Sequence, residues 1–163
     1  MLIELSYDRK KAVSYAEAWA LKRNPRYLDF EKLGGDCTSF ASQCLYAGSG
    51  VMNDTPTFGW YYRSASDRTP SWSGVPYLRN FLIGNKGAGP YAVETDESHA
   101  QPGDIIQLGD ENGRFYHSPV VCRVGEDGIL VCAHTYDAYL RPLYSYSYVQ
   151  SRVLHIEGVR RYR

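Results

Sequence analysis

The chain has 163 residues and a mass of 18.5 kDa, a length that suits one domain with its own hydrophobic core. Eighteen Lys and Arg residues balance eighteen Asp and Glu residues, so the formal net charge is zero. This balance excludes a strongly basic nucleic-acid-binding surface and a charged tail. No apolar stretch is long enough to span a bilayer, and residues 1–20 carry too many charges for a secretory signal peptide.

Two helices are predicted in the first third of the chain. Apolar residues recur at three- and four-residue spacing over residues 8–23, and Asp8 is the expected N-cap. The second helix is predicted over residues 37–47. Asp36 precedes it as a candidate N-cap, and Gly48 is expected to end it.

A long ordered segment is predicted to separate the second helix from a third. Residues 49–72 are rich in Gly, Pro, Ser, Thr and Asp, and a helix is predicted over residues 73–83. The aromatic side chains of Trp60, Tyr61 and Tyr62 lie in the middle of this segment. Such rings either fill a core or line a substrate cleft, and both interpretations remain open.

Short strands follow in the second half of the chain. The strands are predicted over residues 105–108, 115–124, 129–135 and 152–159. The sequence Gly-Glu-Asp-Gly between the second and third of them indicates a tight hairpin turn. Helices that precede an antiparallel sheet predict an α+β fold, here as one domain over residues 1–163.

Cys37 is the residue whose position most strongly suggests chemistry. It follows Gly34-Gly35-Asp36 and begins the predicted second helix. A thiol at a helix N-terminus can have a pKa well below the ordinary value of about 8.5. His117 and His134 stand on two neighbouring predicted strands, and a cysteine with a histidine from another element is the usual arrangement of a thiol hydrolase.

The hairpin register predicts how the two histidines are placed. With a two-residue turn, His117 and His134 lie on the same face as diagonal neighbours, roughly 7–8 Å apart by backbone. A single bulge residue would break this arrangement. The same register places Cys122 and Cys132 on opposite faces, so that no disulfide is expected between them.

This geometry predicts a role for each residue. Cys37 would be the nucleophile, His117 the base, and His134 the group that orients His117. Asp137, just past the third strand, is the alternative third member. The backbone N–H of Cys37 is a natural donor to an oxyanion.

Each of these residues also has an ordinary structural explanation. A cysteine at a helix start and a histidine on a strand face are usually packing residues. A metal site built from His117, His134 and a cysteine is a lesser alternative, because no closely spaced pair of ligands occurs. We therefore expect no metal and no organic cofactor.

Several motifs along the chain resemble one known family. They are Gly35-Asp36-Cys37-Thr38-Ser39-Phe40-Ala41-Ser42-Gln43-Cys44, Trp60-Tyr61-Tyr62, Pro102-Gly103-Asp104, His117-Ser118-Pro119 and Ala133-His134-Thr135-Tyr136-Asp137. In this order they resemble the putative amidase domain family, a branch of the papain-like cysteine peptidases akin to NlpC/P60 and CHAP domains. Ser39 stands where that family frequently has asparagine.

The resemblance implies a fold and an activity. The fold would be papain-like, with N-terminal helices packed on a C-terminal antiparallel sheet. The activity would be hydrolysis of amide bonds through a thiol acyl-enzyme, with a Cys-His-His triad of Cys37, His117 and His134. Asp36, Trp60, Tyr61 and Tyr62 are candidates for the substrate cleft.

The resemblance also suggests a substrate class and a location. The expected partner is a peptide or a fragment of bacterial peptidoglycan, with no nucleic acid, and the chain is expected to be a monomer. A cell-envelope or secreted location is favoured, although residues 1–20 contain no signal peptide. Two alternatives remain open: a binding module of the same fold with weak or absent catalysis, and a transferase in which an amine replaces water.

Overall fold

A large antiparallel sheet with helices packed against it forms the architecture of this computed structural model, which describes residues 1–163. The helices are α1 (Arg9–Trp19), α2 (Cys37–Ser49), α3 (Pro70–Ser73) and α4 (Val75–Gly84). The strands are β1 (Leu2–Leu5), β2 (Tyr62–Ser64), β3 (Asp67–Arg68), β4 (Gly89–Thr95), β5 (Ile105–Gly109), β6 (Phe115–His117), β7 (Val120–Gly125), β8 (Gly128–Ala133), β9 (Ala138–Pro142) and β10 (Gln150–Tyr162). The expected α+β class is confirmed. Every helix is too short to cross a lipid bilayer.

The main sheet has eight strands, in the order β1-β10-β5-β7-β8-β9, with β4 also paired to β10 and β6 also paired to β5. Strands β2 and β3 form a separate two-stranded sheet. The 13-residue strand β10 pairs with β1, β4 and β5. Strands β1, β2, β3, β4 and β9 were not predicted from the sequence, because their pairing partners are not evident from local pattern.

Apolar side chains pack on both faces of the sheet. A cluster of 18 buried residues fills the space between the helices and one face, and it includes Phe40, Leu45 and Leu154. A second cluster of seven buried residues, including Ile106 and Val131, covers the other face. Alternate residues along the central strands therefore point into different cores, as the two-residue period of a strand requires.

The first two helices begin where the sequence predicts and end elsewhere. Asp8 caps α1 by accepting a hydrogen bond from the Lys11 backbone N–H. Helix α1 ends at Trp19, before the predicted residue 23. Helix α2 continues through Gly48, and Gly50 ends it in the left-handed conformation with φ of 67°. Glycine is needed at position 48 for packing rather than for termination, since a Cβ there would lie 2.6 Å from the Tyr7 ring.

The β7–β8 hairpin has the predicted turn but not the predicted register along its whole length. Gly125 pairs with Gly128 as expected. The register then shifts by one residue at Cys122, which is a bulge. Cys122 and Cys132 consequently belong to the same buried cluster, and the expectation that they lie on opposite faces is wrong.

The predicted strand over residues 115–124 is divided in two. Strand β6 pairs with β5 through Leu108 and His117, and β7 begins only at Val120. The break falls at Ser118-Pro119, where proline has no N–H to donate to a ladder. Strand parity therefore does not relate His117 to His134, because both this break and the bulge lie between them.

Asp104, from the Pro102-Gly103-Asp104 motif, anchors the start of α1 to the sheet. Its fully buried carboxylate accepts a 2.8 Å hydrogen bond from Nη1 of Arg9 and a 3.0 Å bond from the backbone N–H of Ile156. Nδ1 of His155 lies 2.9 Å from the same carboxylate. These contacts satisfy a buried charge and explain the motif structurally.

Candidate active site

Cys37 is the first residue of α2 and lines an open cleft of about 490 Å³. Gly34 and Gly35, with φ of 102° and 104°, bring the chain into the helix through a conformation that favours glycine. The other residues that line the cleft are Thr38, Ser73, Gly74, Val75, Pro76, Gly113, Arg114, Phe115, Tyr116 and Arg152. A larger cavity of about 750 Å³ lies along α4 and does not include Cys37.

Burial is the largest influence on the pKa of the Cys37 thiol. Burial raises the pKa of the thiol, while the Thr38 hydroxyl and the backbone N–H groups of Ser118 and Thr38 oppose this increase. Sγ lies 3.7 Å from Oγ1 of Thr38, which in turn lies 3.2 Å from Oγ of Ser118. The position at the helix N-terminus therefore does not by itself produce the lowered pKa that the sequence suggested.

Asp36 occupies the N-cap position of α2, but its side chain does not cap the helix. Oδ1 accepts a 2.8 Å hydrogen bond from the backbone N–H of Phe30, and Oδ2 lies 2.5 Å from Nδ1 of His134. The carboxylate is thus turned away from the first turn of α2. It does not line the cleft that Cys37 lines.

His134 lies beside Asp36 and makes no hydrogen bond to His117. Nε2 of its ring lies 2.8 Å from the carbonyl oxygen of Trp19. Because a carbonyl oxygen only accepts, Nε2 donates to Trp19, and the other ring nitrogen faces the Asp36 carboxylate. The ring also stacks on Phe40, with centroids 3.9 Å apart.

Asp137, the alternative third member, is also directed elsewhere. Its carboxylate accepts hydrogen bonds of 2.8 Å and 3.0 Å from Arg23. Arg23 also lies within ion-pair distance of Asp29, Glu31 and Asp36. Asp137 therefore belongs to a charged cluster around Arg23 and makes no hydrogen bond to His117.

His117 ends β6 next to Ser118, the residue whose backbone N–H faces the Cys37 sulfur. Its ring makes no hydrogen bond within the protein, and its centroid lies 5.6 Å from that of Tyr146. Burial, helped by the positive charge of Arg141, lowers the pKa of His117 to about 4. The imidazole is therefore neutral near pH 7, which is the form that a general base requires.

The three aromatic residues proposed for the cleft lie away from it. Trp60 is fully buried and packs on Trp72 and Phe81, with ring centroids 4.9 Å and 6.0 Å apart. Tyr61 is buried, and Tyr62 packs against the same cluster. Of the two interpretations that the sequence left open, core residue or cleft residue, Trp60 fits the first because it is fully buried. None of the three lines the cleft beside Cys37.

The residues that connect the cleft to the sheet were not identified from the sequence. Gln107 is fully buried; its Nε2 donates to Ser118 Oγ and to the Val75 carbonyl, and its Oε1 accepts from Arg152. The signal that could have identified Gln107 was its position as the polar residue within the apolar run of residues 105–108.

No group of three His, Cys, Asp or Glu side chains has an arrangement suited to a metal ion.

The structure thus defines an α+β domain with a cysteine at a helix start, facing a cleft beside an antiparallel sheet. A family model described as a putative amidase domain matches residues 6–156. The chain belongs to this family, whose description suggests hydrolase activity. No solved structure matches the chain.

Two curated relatives come from Bacillus subtilis strain 168. The chain is 38% identical over 140 residues to the uncharacterized protein YhbB, a match that covers 83% of this chain and 43% of YhbB. It is 28% identical over 106 residues to the uncharacterized protein YjcM, covering 65% of this chain and 23% of YjcM. The chain therefore spans less than half the length of either relative.

Proposed function

We propose that this domain is a cysteine-dependent amidohydrolase in which Cys37 is the nucleophile and His117 the general base. The observation that carries this proposal is the position of Cys37, at the start of α2 and on the wall of an open cleft. The Ser118 backbone is among the groups that act on the pKa of the Cys37 thiol, and this supports a position of the preceding residue, His117, near the sulfur. Family membership supports amide hydrolysis as the reaction.

The proposed reaction begins with two neutral groups. His117 takes the proton of the Cys37 thiol as the sulfur attacks the amide carbon. The N–H groups in the first turn of α2 lack a side-chain cap, because Asp36 turns away, and the N–H of Cys37 would donate to the developing oxyanion. His117 then gives its proton to the amine as the C–N bond breaks, leaving a thioester. Water, deprotonated by His117, attacks the thioester and releases the acid and the thiol.

We assign His134 a positioning role in place of the orienting hydrogen bond to His117 that the sequence suggested. Its ring connects Asp36, the residue before the nucleophile, to the end of α1 through Trp19. These two bonds would hold the start of α2 against the sheet. Asp137 would support the same region through Arg23.

The proposed substrates are peptides of the bacterial cell wall, in line with papain-like enzymes of the NlpC/P60 and CHAP type. The cut could be within the stem peptide or at the junction of sugar and peptide. Purified peptidoglycan treated with wild type and with Cys37→Ala, followed by mass spectrometry of the soluble fragments, tests both the activity and the bond. Fragments that depend on Cys37 would support the proposal.

Two observations favour the alternative, a binding module of the same fold. The raised pKa of Cys37 and the absence of a hydrogen bond to His117 are what a non-catalytic thiol would show. Iodoacetamide labelling separates the two functions. An enzyme would show a Cys37 alkylation rate that falls in His117→Gln, whereas a binding module would show no dependence on His117.

A further inference from the structure

We propose that Arg114 and Arg152 form an anion subsite in the cleft beside Cys37, and that this subsite binds a free carboxylate of the substrate. The inference rests on the proposed function in one respect: the carboxylate would lie near the amide bond that Cys37 attacks. The substrate class would then be an acidic peptide.

The charge of the cleft is the first line of support. The two arginines are the only charged side chains that line it, and no Asp or Glu faces them there. The chain as a whole is neutral, with equal numbers of basic and acidic residues. Two positive charges are therefore concentrated on one concave surface, which favours the binding of an anion.

Arg152 is held in place without a carboxylate partner. Its Nε and Nη2 both donate to Oε1 of Gln107, at 2.9 Å and 2.7 Å. Its guanidinium also lies over the Phe115 ring, 3.8 Å from the centroid. Nη1 makes no hydrogen bond within the protein, so donors remain available on the edge of the group. A fixed planar guanidinium with free donors is suited to a carboxylate.

Arg114 is exposed, and its side chain makes no hydrogen bond or ion pair. Its backbone is nevertheless ordered, since Oδ1 of Asp110 accepts hydrogen bonds from the N–H groups of Asn112 and Arg114 at 2.9 Å and 3.0 Å. The turn, which includes Gly113 with φ of 79°, places Arg114 directly before Phe115. Arg114 and Arg152 line the same cleft, so both guanidinium groups face the space that an anion would occupy.

A buried hydrogen-bonded chain connects this subsite to the nucleophile. Gln107, which holds Arg152, donates a 3.2 Å hydrogen bond to Oγ of Ser118. Oγ of Ser118 lies 3.2 Å from Oγ1 of Thr38, the residue that follows Cys37. Because these groups are buried and mutually bonded, they fix the distance between the anion subsite and the thiol.

Two alkylating reagents of nearly the same shape test the subsite without a substrate. Iodoacetate carries a carboxylate and iodoacetamide a neutral amide, and in both reactions the Cys37 sulfur displaces iodide. Peptide mapping by mass spectrometry would give the rate at Cys37 separately from the other three thiols. We expect the ratio of the iodoacetate rate to the iodoacetamide rate to fall at least about fivefold in Arg114→Gln/Arg152→Gln, and to fall with added salt in wild type.

The controls separate a subsite from general charge and from misfolding. Arg161→Gln removes an exposed positive charge at the far end of β10 and should leave the ratio unchanged. Arg114→Gln alone alters an exposed side chain, so its fold is safe even where the double variant does not fold. An unchanged ratio in Arg114→Gln and in the double variant, or an equal fall in Arg161→Gln, would overturn the subsite.

Failure of the subsite and failure of the proposed function give different results. If the ratio of the two alkylation rates depends on the arginines but the protein releases no peptidoglycan fragments, the anion subsite is supported and the hydrolase activity is contradicted. If the protein cleaves peptidoglycan but the ratio does not depend on the arginines, the hydrolase activity is supported and the anion subsite is contradicted.

Discussion

Nδ1 of His134 and Oδ2 of Asp36 lie 2.5 Å apart, and both side chains are almost completely buried. The two residues are 98 positions apart in the chain. The contact ties the residue before Cys37 to the end of β8, and Trp19 extends it to α1. It is therefore a structural connection across the whole site, made by His134, which the sequence suggested for catalysis, and by Asp36, which it suggested for the substrate cleft.

Replacing His134 with alanine should strongly destabilise the fold. Removing the ring leaves Arg23, with its Nε 3.6 Å from Oδ2, as the remaining charged partner of the buried Asp36 and removes the stack on Phe40, so we expect the free energy of unfolding to fall by about 3 kcal/mol. Urea denaturation gives this value. His99→Ala is the matched control, because His99 pairs with Asp96 on the exposed surface and should change stability by less than about 0.5 kcal/mol.

The double variant Asp36→Asn/His134→Gln checks the origin of that loss. If the pair is coupled as the structure indicates, the double variant should lose clearly less stability than the sum of the two single variants. Simple additivity would show that the two side chains do not act as a pair.

Stability should depend on pH through His117. Its pKa is lowered to about 4 in the folded protein, against about 6.5 when unfolded. Between these values the unfolded chain binds the extra proton, so stability is fully present above about pH 6.5 and is lost as the pH falls toward 4. The loss from this residue is on the order of 3 kcal/mol.

The measurement is urea denaturation of wild type and His117→Gln across this pH range. The glutamine variant should have the shallower dependence, because it lacks the titrating group. Equal slopes for the two proteins would mean that His117 is not held neutral by burial.

Two helical glycines should respond oppositely to alanine. A Cβ at Gly48 would lie 2.6 Å from the Tyr7 ring and 2.8 Å from the Asp8 carbonyl oxygen, so Gly48→Ala should cost about 1–3 kcal/mol. Gly84, also in a helix, has open space within 4 Å of the position that a Cβ would take, and Gly84→Ala should stabilise by up to about 1 kcal/mol. Thermal unfolding of both variants compares them directly, and a stable Gly48→Ala would contradict the close packing of α2 on Tyr7.

Trp60→Ala separates a core residue from a cleft residue. Trp60 is fully buried, and its Nε1 donates to Oγ of Ser42. Truncation should lower the free energy of unfolding by about 3–5 kcal/mol. A stable variant with weakened substrate binding would instead restore the cleft interpretation. Unfolding by denaturant and peptidoglycan binding, measured on the same protein, distinguish these results.

The sequence pattern predicted those parts of the site that depend only on residues adjacent in the chain. The start of α2 at Cys37 follows from the glycines and Asp36 before it, and the Gly125 to Gly128 turn follows from its own four residues. The break at Ser118-Pro119 follows from the missing N–H of Pro119, a local signal that the predicted strand over residues 115–124 did not take into account. The bulge at Cys122 belongs to the pairing of β7 with β8, and parity along one strand does not reveal it. The partners of His134 and Asp137 come from α1 and the segment after it, and no spacing rule connects those positions.

The central claim is that Cys37 carries amide hydrolysis, and digestion of purified peptidoglycan by wild type and Cys37→Ala tests it most directly. The account predicts that wild type releases fragments with newly formed carboxyl and amino ends, and that Cys37→Ala, while still folded, releases none. Equal fragment release by the two proteins would contradict it.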